Sequence, residues 1–158
     1  MNMEIVYVDM DGVLVDFPES IDDVHHSIRE QCRDWCAHSG RHHSDYEGLF
    51  ATLPALPGAV EAIDMLLQKY EVYLLSTSPW ANMSAWSDKR RWVEEHLQNL
   101  PRKHLILSHR KDLLRGAYLI DDRPYNGASE FASHEGQEWL WFGSEEFPDW
   151  DAVLDHLG

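Results

Sequence analysis

The chain has 158 residues, a formal net charge of -15 and an apolar fraction of 44% that includes seven Trp. That length fits one domain with a proper core, and the composition excludes disorder. The acidity repels polyanions at long range, so no nucleic acid polymer is expected as a partner. No apolar run reaches the length of a membrane span.

Glu4 to Val8 opens as a near-continuous apolar run, Ile5-Val6-Tyr7-Val8, which predicts a central parallel strand covered on both faces. It stops at Asp9-Met10-Asp11-Gly12, two carboxylates two residues apart before a glycine turn. A desolvated carboxylate is costly without a partner, so acids at this point need a reason.

Ser20 and Asp23 resemble a capping box, and Ile21, Val24, Ile28, Cys32, Trp35 and Cys36 then recur at helical spacing until Ser39-Gly40. A short helix is expected over Tyr46 to Thr52, and Pro54 and Pro57 close the segment. A helix opening at Pro57-Gly58 has Val60, Ile63, Leu66 and Leu67 as its inner face, and leads to a buried strand, Val72 to Leu75. That strand ends in Ser76-Thr77-Ser78-Pro79. Asp88 is read as the cap of a helix carrying Trp92, Val93, His96, Leu97 and Leu100, stopped by Pro101.

The third strand, His104 to Leu107, runs into the basic turn His109-Arg110-Lys111. The fourth, Ala117 to Ile120, ends in Asp121-Asp122, and Glu138 to Phe142 is the fifth. A closing helix carries Trp150, Val153, Leu154 and Leu157. Strands alternating with helices give the fold class, an α/β, doubly wound parallel sheet of about five strands with right-handed crossovers.

The first crossover is too long. Pro57 to Tyr70 supplies its helix, so the residues before it are an insertion leaving the acid-bearing turn. The expected organisation is a core of residues 1–16 and 57–158 with a small helical cap, residues 17–56, over the site.

Four strand ends then carry polar groups on one edge of the sheet: Asp9 with Asp11, Ser76 to Ser78, the turn of Lys111, and Asp121 with Asp122. Any one is more often a turn, a cap or a solvated charge. All four together are hard to explain as packing, because ligands bind beyond the carboxyl ends of such strands. Clustered carboxylates call for a hard cation, and Mg²⁺ suits oxygen ligands and a phosphate. Hydroxyls, free backbone N–H groups and a lysine suit the phosphate itself.

Asp9-Met10-Asp11-Gly12, Thr77, Lys111 and Asp121-Asp122, in that order along nearly the whole chain, resemble the haloacid dehalogenase-like (HAD) phosphotransferase superfamily. Asp9 to Phe17, Leu53-Pro54 to Pro57-Gly58-Ala59, Thr77-Ser78-Pro79 and Ile120 to Pro124 are similar to the 5'(3')-deoxyribonucleotidases within it. The resemblance implies a Rossmann-like HAD core and Mg²⁺-dependent hydrolysis of deoxyribonucleoside 5'- or 3'-monophosphates through an aspartyl-phosphate. It implies Asp9 as nucleophile and metal ligand, and Asp11 as general acid and base that also offers its main-chain carbonyl to the metal. Asp121 is implied as a metal ligand, Asp122 as a further ligand through water or a partner of Lys111. Thr77 and Ser78 would hold phosphate oxygens, with Lys111 bridging phosphate and Asp9.

The cap is expected to choose the substrate. Phe17, Phe50 and Trp80 either stack on a nucleobase or sugar or form cap core. His109-Arg110 stands where the animal enzymes would have Arg-Asp. A phosphatase for another small phosphomonoester and a non-catalytic phosphate-binding module are the competing readings. A dehalogenase is disfavoured, since Asp11 and Mg²⁺ serve phosphate.

Cys32 and Cys36, with His38, His42 and His43 nearby, match no common zinc spacing, and small buried side chains are the favoured account. No secretion signal is read at the N-terminus, so a cytoplasmic protein is expected. The oligomeric state is not fixed by the sequence, and a homodimer is left open.

Overall fold

A computed structural model describes residues 2–158. Five strands form one parallel sheet: β1 (Ile5–Val8), β2 (Glu71–Ser76), β3 (Leu105–Leu107), β4 (Tyr118–Asp121) and β5 (Glu138–Trp141). Their spatial order is β3-β2-β1-β4-β5. After β1 the chain builds outward on one side through β2 and β3, then crosses to the other side for β4 and β5. The order therefore switches between β1 and β4, and the crevice beyond their carboxyl ends is where such folds bind ligands.

Register aligns those ends. Val8 pairs with Ile120, so the next residues, Asp9 and Asp121, share the sheet edge. Asp9 N–H still donates to the Ile120 carbonyl at 2.9 Å, carrying the ladder into the acid turn.

The helices are α1 (Arg29–Ser39), α2 (Ala59–Leu66), α3 (Met83–His96), α4 (Ala128–Phe131) and α5 (Trp150–Leu157). One apolar cluster joins Val6 and Val8 of β1, Val72 and Leu74 of β2, Ile63 and Leu66 of α2, and Trp150 and Val153 of α5. The same cluster takes in Val24, Cys32, Leu49 and Phe50 of the insertion, so the inserted segment shares the main core. A smaller cluster of Tyr7, Leu75, Leu119, Ala128 and Phe131 covers the opposite face. The ends of the insertion are tied together, with Asp16 N–H donating to Pro54 O at 2.9 Å and Leu56 N–H to Leu14 O at 2.8 Å.

Several expected elements are corrected. The helix expected from Ile21 to Ser39 is split into a 3-10 turn, Ile21–Asp23, and α1. Ser20 Oγ does bond Asp23, but to its carboxylate at 3.1 Å, so the pair leaves the helix start uncapped. Val24 then turns extended and the chain breaks. Gly40 stops α1 as expected, with φ 69° and its N–H on Cys36 O. Of the short helix expected over Tyr46 to Thr52 only a 3-10 turn, Phe50–Thr52, forms, and another, His43–Asp45, precedes it.

Asp88 does not cap α3. Asn82 does, its side chain accepting from Ala85 N–H at 3.2 Å, and Asp88 is buried within the helix. The apolar periodicity is silent over the first turn of α3, where Met83 is exposed, and so the true start is hidden. Asn82 Nδ2 also donates to the carbonyls of Ser44 and Tyr46, fastening the insertion to the helix. The inner face of α2 is Ala59, Ala62, Ile63 and Leu66, with Val60 and Leu67 only half-buried. The single-turn α4 was not expected from the periodicity.

Candidate active site

Asp9, Asp121 and Asp122 converge at the switch point, each offering a carboxylate oxygen within 4.8 Å of the others. Lys111 enters from the turn after β3 and donates to Asp9 Oδ1 at 3.0 Å and Asp121 Oδ2 at 2.5 Å. All three partners of this bridge are buried.

Two glycines make the approach possible. Gly12 has φ 80°, and a Cβ there would lie 2.8 Å from Asp122 Cγ and closer still to its Oδ2. Gly127 has φ 84°, and a Cβ there would lie 3.0 Å from Lys111 N and nearer to Asp112. Lys111 N–H in turn donates to Asn126 O at 2.7 Å. A side chain at either glycine would displace an acid or the lysine that meets it.

The acid turn after β4 is braced from β5. Trp139 Nε1 donates to Asp121 O at 3.2 Å and Trp141 Nε1 to Asp122 O at 3.0 Å, the two indoles stacked 5.0 Å apart. Arg123 N–H donates to Asp121 Oδ1 at 3.1 Å.

Three acids share one buried ammonium, with the exposed Arg123 guanidinium 3.7 Å from Asp122, and the titrations follow that imbalance. Burial, then the charge of Asp9, pushes Asp121 up to about 8. Burial and then Asp9, by charge and hydrogen bond, push Asp122 up to about 7. Burial alone would lower the Lys111 pKa, but Asp9 and Asp121 hold it well above its usual range. Asp122 Oδ1 is buried with no hydrogen-bond partner among the described residues. Surplus negative charge and an orphaned carboxylate oxygen fit a hard divalent cation, and Mg²⁺ takes such oxygens.

Asp11 stands apart from this cluster. Its Oδ2 accepts from Lys89 Nζ at 3.0 Å. Burial raises the Asp11 pKa, Lys89 opposes that rise, and the charge of Asp9 adds to it. Lys89 was missed in the sequence, where it reads as one more charge on a polar helix.

A cleft of about 620 Å³ covers these groups. Asp9, Asp11, Thr77, Lys111, Asp121 and Asp122 all line it, as do Phe17 and Phe50 from the insertion. Thr77 Oγ1 donates to Ser108 O at 2.7 Å. Two expected contacts are not brought to the cleft. Ser78 is wholly buried off its wall, with His109 Nε2 3.0 Å from its carbonyl. Trp80 is 81% exposed and packs outside it against Trp86 and His109. Phe17 and Phe50 are both wall and core, since their rings pack 5.6 Å apart and join the main apolar cluster. His42, Glu19 and Tyr125 are further lining residues that no motif announced.

Cys32 is buried, and both cysteines are free thiols. Among the described residues no helix is long and apolar enough to cross a membrane.

Residues 3–144 match the family described as "5' nucleotidase, deoxy (Pyrimidine), cytosolic type C protein". A protein of Vibrio phage KVP40 named "Putative 5'(3')-deoxyribonucleotidase" is 46% identical over 153 residues, 97% of this chain and 84% of its own. A Bordetella bronchiseptica protein of the same name is 30% identical over 138 residues, 76% of this chain and 74% of its own. Among solved structures, the magnesium-bound "putative HAD-hydrolase YfnB" of Bacillus subtilis superposes with a TM-score of 0.58 over 100% of both chains at 10% identity, a likeness of fold. The chain belongs to the 5' nucleotidase, deoxy (pyrimidine), cytosolic type C family, a family of phosphoric monoester hydrolases.

Proposed function

We propose that the chain is a Mg²⁺-dependent phosphatase of deoxyribonucleoside 5'- or 3'-monophosphates that works through a phosphorylated Asp9. The observation that carries it is the division of the acids. Asp9, Asp121 and Asp122 crowd together, while Asp11 is held off from them on the same cleft wall.

Asp9, Asp121, Asp122 and the Asp11 main-chain carbonyl would hold the cation. Its charge, when bound, offsets the repulsion between the carboxylates and the phosphate. Lys111 orients Asp9 and adds a cation beside the incoming phosphate. An Asp9 oxygen forms a bond to phosphorus as the ester P–O bond breaks, and the departing oxygen takes its proton from Asp11. Water then attacks phosphorus, gives its proton back to Asp11 and releases Asp9 with inorganic phosphate. Thr77, which lines the same cleft, supports the phosphate. Residues 17–56 act as the cap, whose Phe17 and Phe50 rings stack on the base or sugar.

Phosphate release measured over deoxynucleotides, ribonucleotides and sugar phosphates with Mg²⁺ tests the reading. Deoxynucleotides are expected to give the highest kcat/KM. A preference for sugar phosphates would reassign the substrate and leave the chemistry standing.

A further inference from the structure

We propose that Lys89 is a positioning residue for Asp11: it holds the general acid by one oxygen, away from the metal-binding carboxylates, and leaves the other oxygen free to carry the proton.

Lys89 lies in α3, 78 residues from Asp11, and is only 1% exposed. An ammonium has three donors, and all three are used. They go to Asp11 Oδ2 at 3.0 Å, Ser76 Oγ at 2.7 Å and Thr77 O at 2.9 Å. The face of the Phe50 ring sits 4.9 Å from Nζ and closes the remaining side. An ammonium so enclosed does not wander, and the carboxylate bonded to it takes up its position.

Two consequences follow. Asp11 contributes no side-chain oxygen to the group formed by Asp9, Asp121 and Asp122, although it is two residues from Asp9. With Oδ2 accepting from a cation, the proton of neutral Asp11 belongs on Oδ1, which has no partner among the described residues. During the first step that Oδ1–H bond breaks as the leaving oxygen takes the proton. In the second, water returns a proton to the same atom.

A lysine that only ties α3 to β2 would satisfy the same distances. Dependence on the leaving group separates the two roles. This proposal rests on Asp11 being the general acid, so Asp11→Asn is measured beside it. The Mg²⁺-loaded enzyme is followed through its first turnover by rapid quench, with deoxythymidine 5'-monophosphate and with 4-nitrophenyl phosphate. Nitrophenolate departs without a proton, and the deoxynucleoside does not.

Lys89→Met is expected to slow deoxynucleoside release by about 10²-fold while nitrophenolate release stays near the wild-type rate, the same pattern as Asp11→Asn. Equal slowing of both substrates, or of neither, overturns the proposal for Lys89. If Asp11→Asn releases the nucleoside at the wild-type rate, the reading of Asp11 itself fails, whatever Lys89 does. Should Lys89→Met not fold, Ser76→Ala removes one of the three anchors and keeps the ammonium. It is expected to show the same contrast, smaller in size, and its absence overturns the proposal equally.

Discussion

Two buried lysines divide the Asp-x-Asp pair between them, Lys111 on Asp9 and Lys89 on Asp11, and their surroundings differ. Lys111 bridges Asp9 and Asp121, with Asp122 crowded beside them and paired only with the exposed Arg123 at 3.7 Å. Lys89 faces Asp11 alone, with two neutral acceptors completing its shell. The first pole carries surplus negative charge, and the charge of Asp9 adds to burial in raising Asp121 and Asp122; the second sets one cation against one acid, and Lys89 opposes the rise that burial gives Asp11. A pole with surplus charge is built to take a ligand, whereas a balanced one is built to hold still. The fold gives each acid of the Asp-x-Asp pair its own cation, and under the proposed function this would separate recruitment of the phosphate and metal from control of the proton.

The largest expected effect breaks the unbalanced pole at its centre. Asp9→Asn should lower kcat by at least about 10⁴-fold, the scale on which a covalent nucleophile is missed, without lowering the melting temperature. Losing an acid there relieves repulsion. If activity survives, the nucleophile is elsewhere.

Removing the cation has the opposite consequence for stability. Above about pH 8, where Asp121 and Asp122 are ionised, Lys111→Met leaves buried acids uncompensated and should cost about 3–5 kcal/mol in chemical denaturation without metal, together with most activity. A stable Lys111→Met protein would mean that the acids are already protonated around a lysine of little importance.

The next test uses pH. Asp121 near 8 and Asp122 near 7 lie above the unfolded carboxyl value of about 3.9. The folded protein therefore binds more protons than the unfolded chain between about pH 4 and pH 8, and the metal-free melting temperature should fall as pH rises through that window. Mg²⁺ should raise the melting temperature at pH 8 more than at pH 5, because at the lower pH it competes with protons. Asp122→Asn should flatten both trends. A melting curve indifferent to Mg²⁺ at pH 8 would remove the metal from this pole.

Gly12→Ala gives a smaller effect on stability, about 1–2 kcal/mol for a left-handed conformation with a Cβ. It should still weaken Mg²⁺ binding by pushing Asp122 aside. The smallest expected change belongs to the cleft wall. Phe17→Ala should raise KM for a deoxynucleotide about tenfold with kcat nearly kept, the scale of one base stacked on an aromatic ring.

Much of this was legible in the sequence, because strand ends in a parallel sheet are marked by the change from apolar runs to polar turns. Asp9, Asp11, Thr77, Lys111, Asp121 and Asp122 were found that way, and all six line one cleft. Residues that act from a helix or from behind a strand gave no such mark. Lys89 sits on an amphipathic helix beside Asp88, Arg90 and Arg91, and nothing local tells the buried charge from the solvated ones. Trp139 and Trp141 read only as strand hydrophobes, although their indole N–H groups brace the acid turn. Trp80 misled because adjacency to Thr77 in the chain does not decide which way a side chain leaves a turn.

By itself the sequence determined the sheet, the order of its polar tips and the family, since periodicity and motif order are local properties of the chain. Only the tertiary structure decided which cation each acid meets. That depends on how α3 lies against β2 and how the turn after β3 reaches under β4, and both are set by packing between segments far apart in the chain. Hydrophobic patterning says that a helix face is covered; it does not say what lies opposite a lysine on that face.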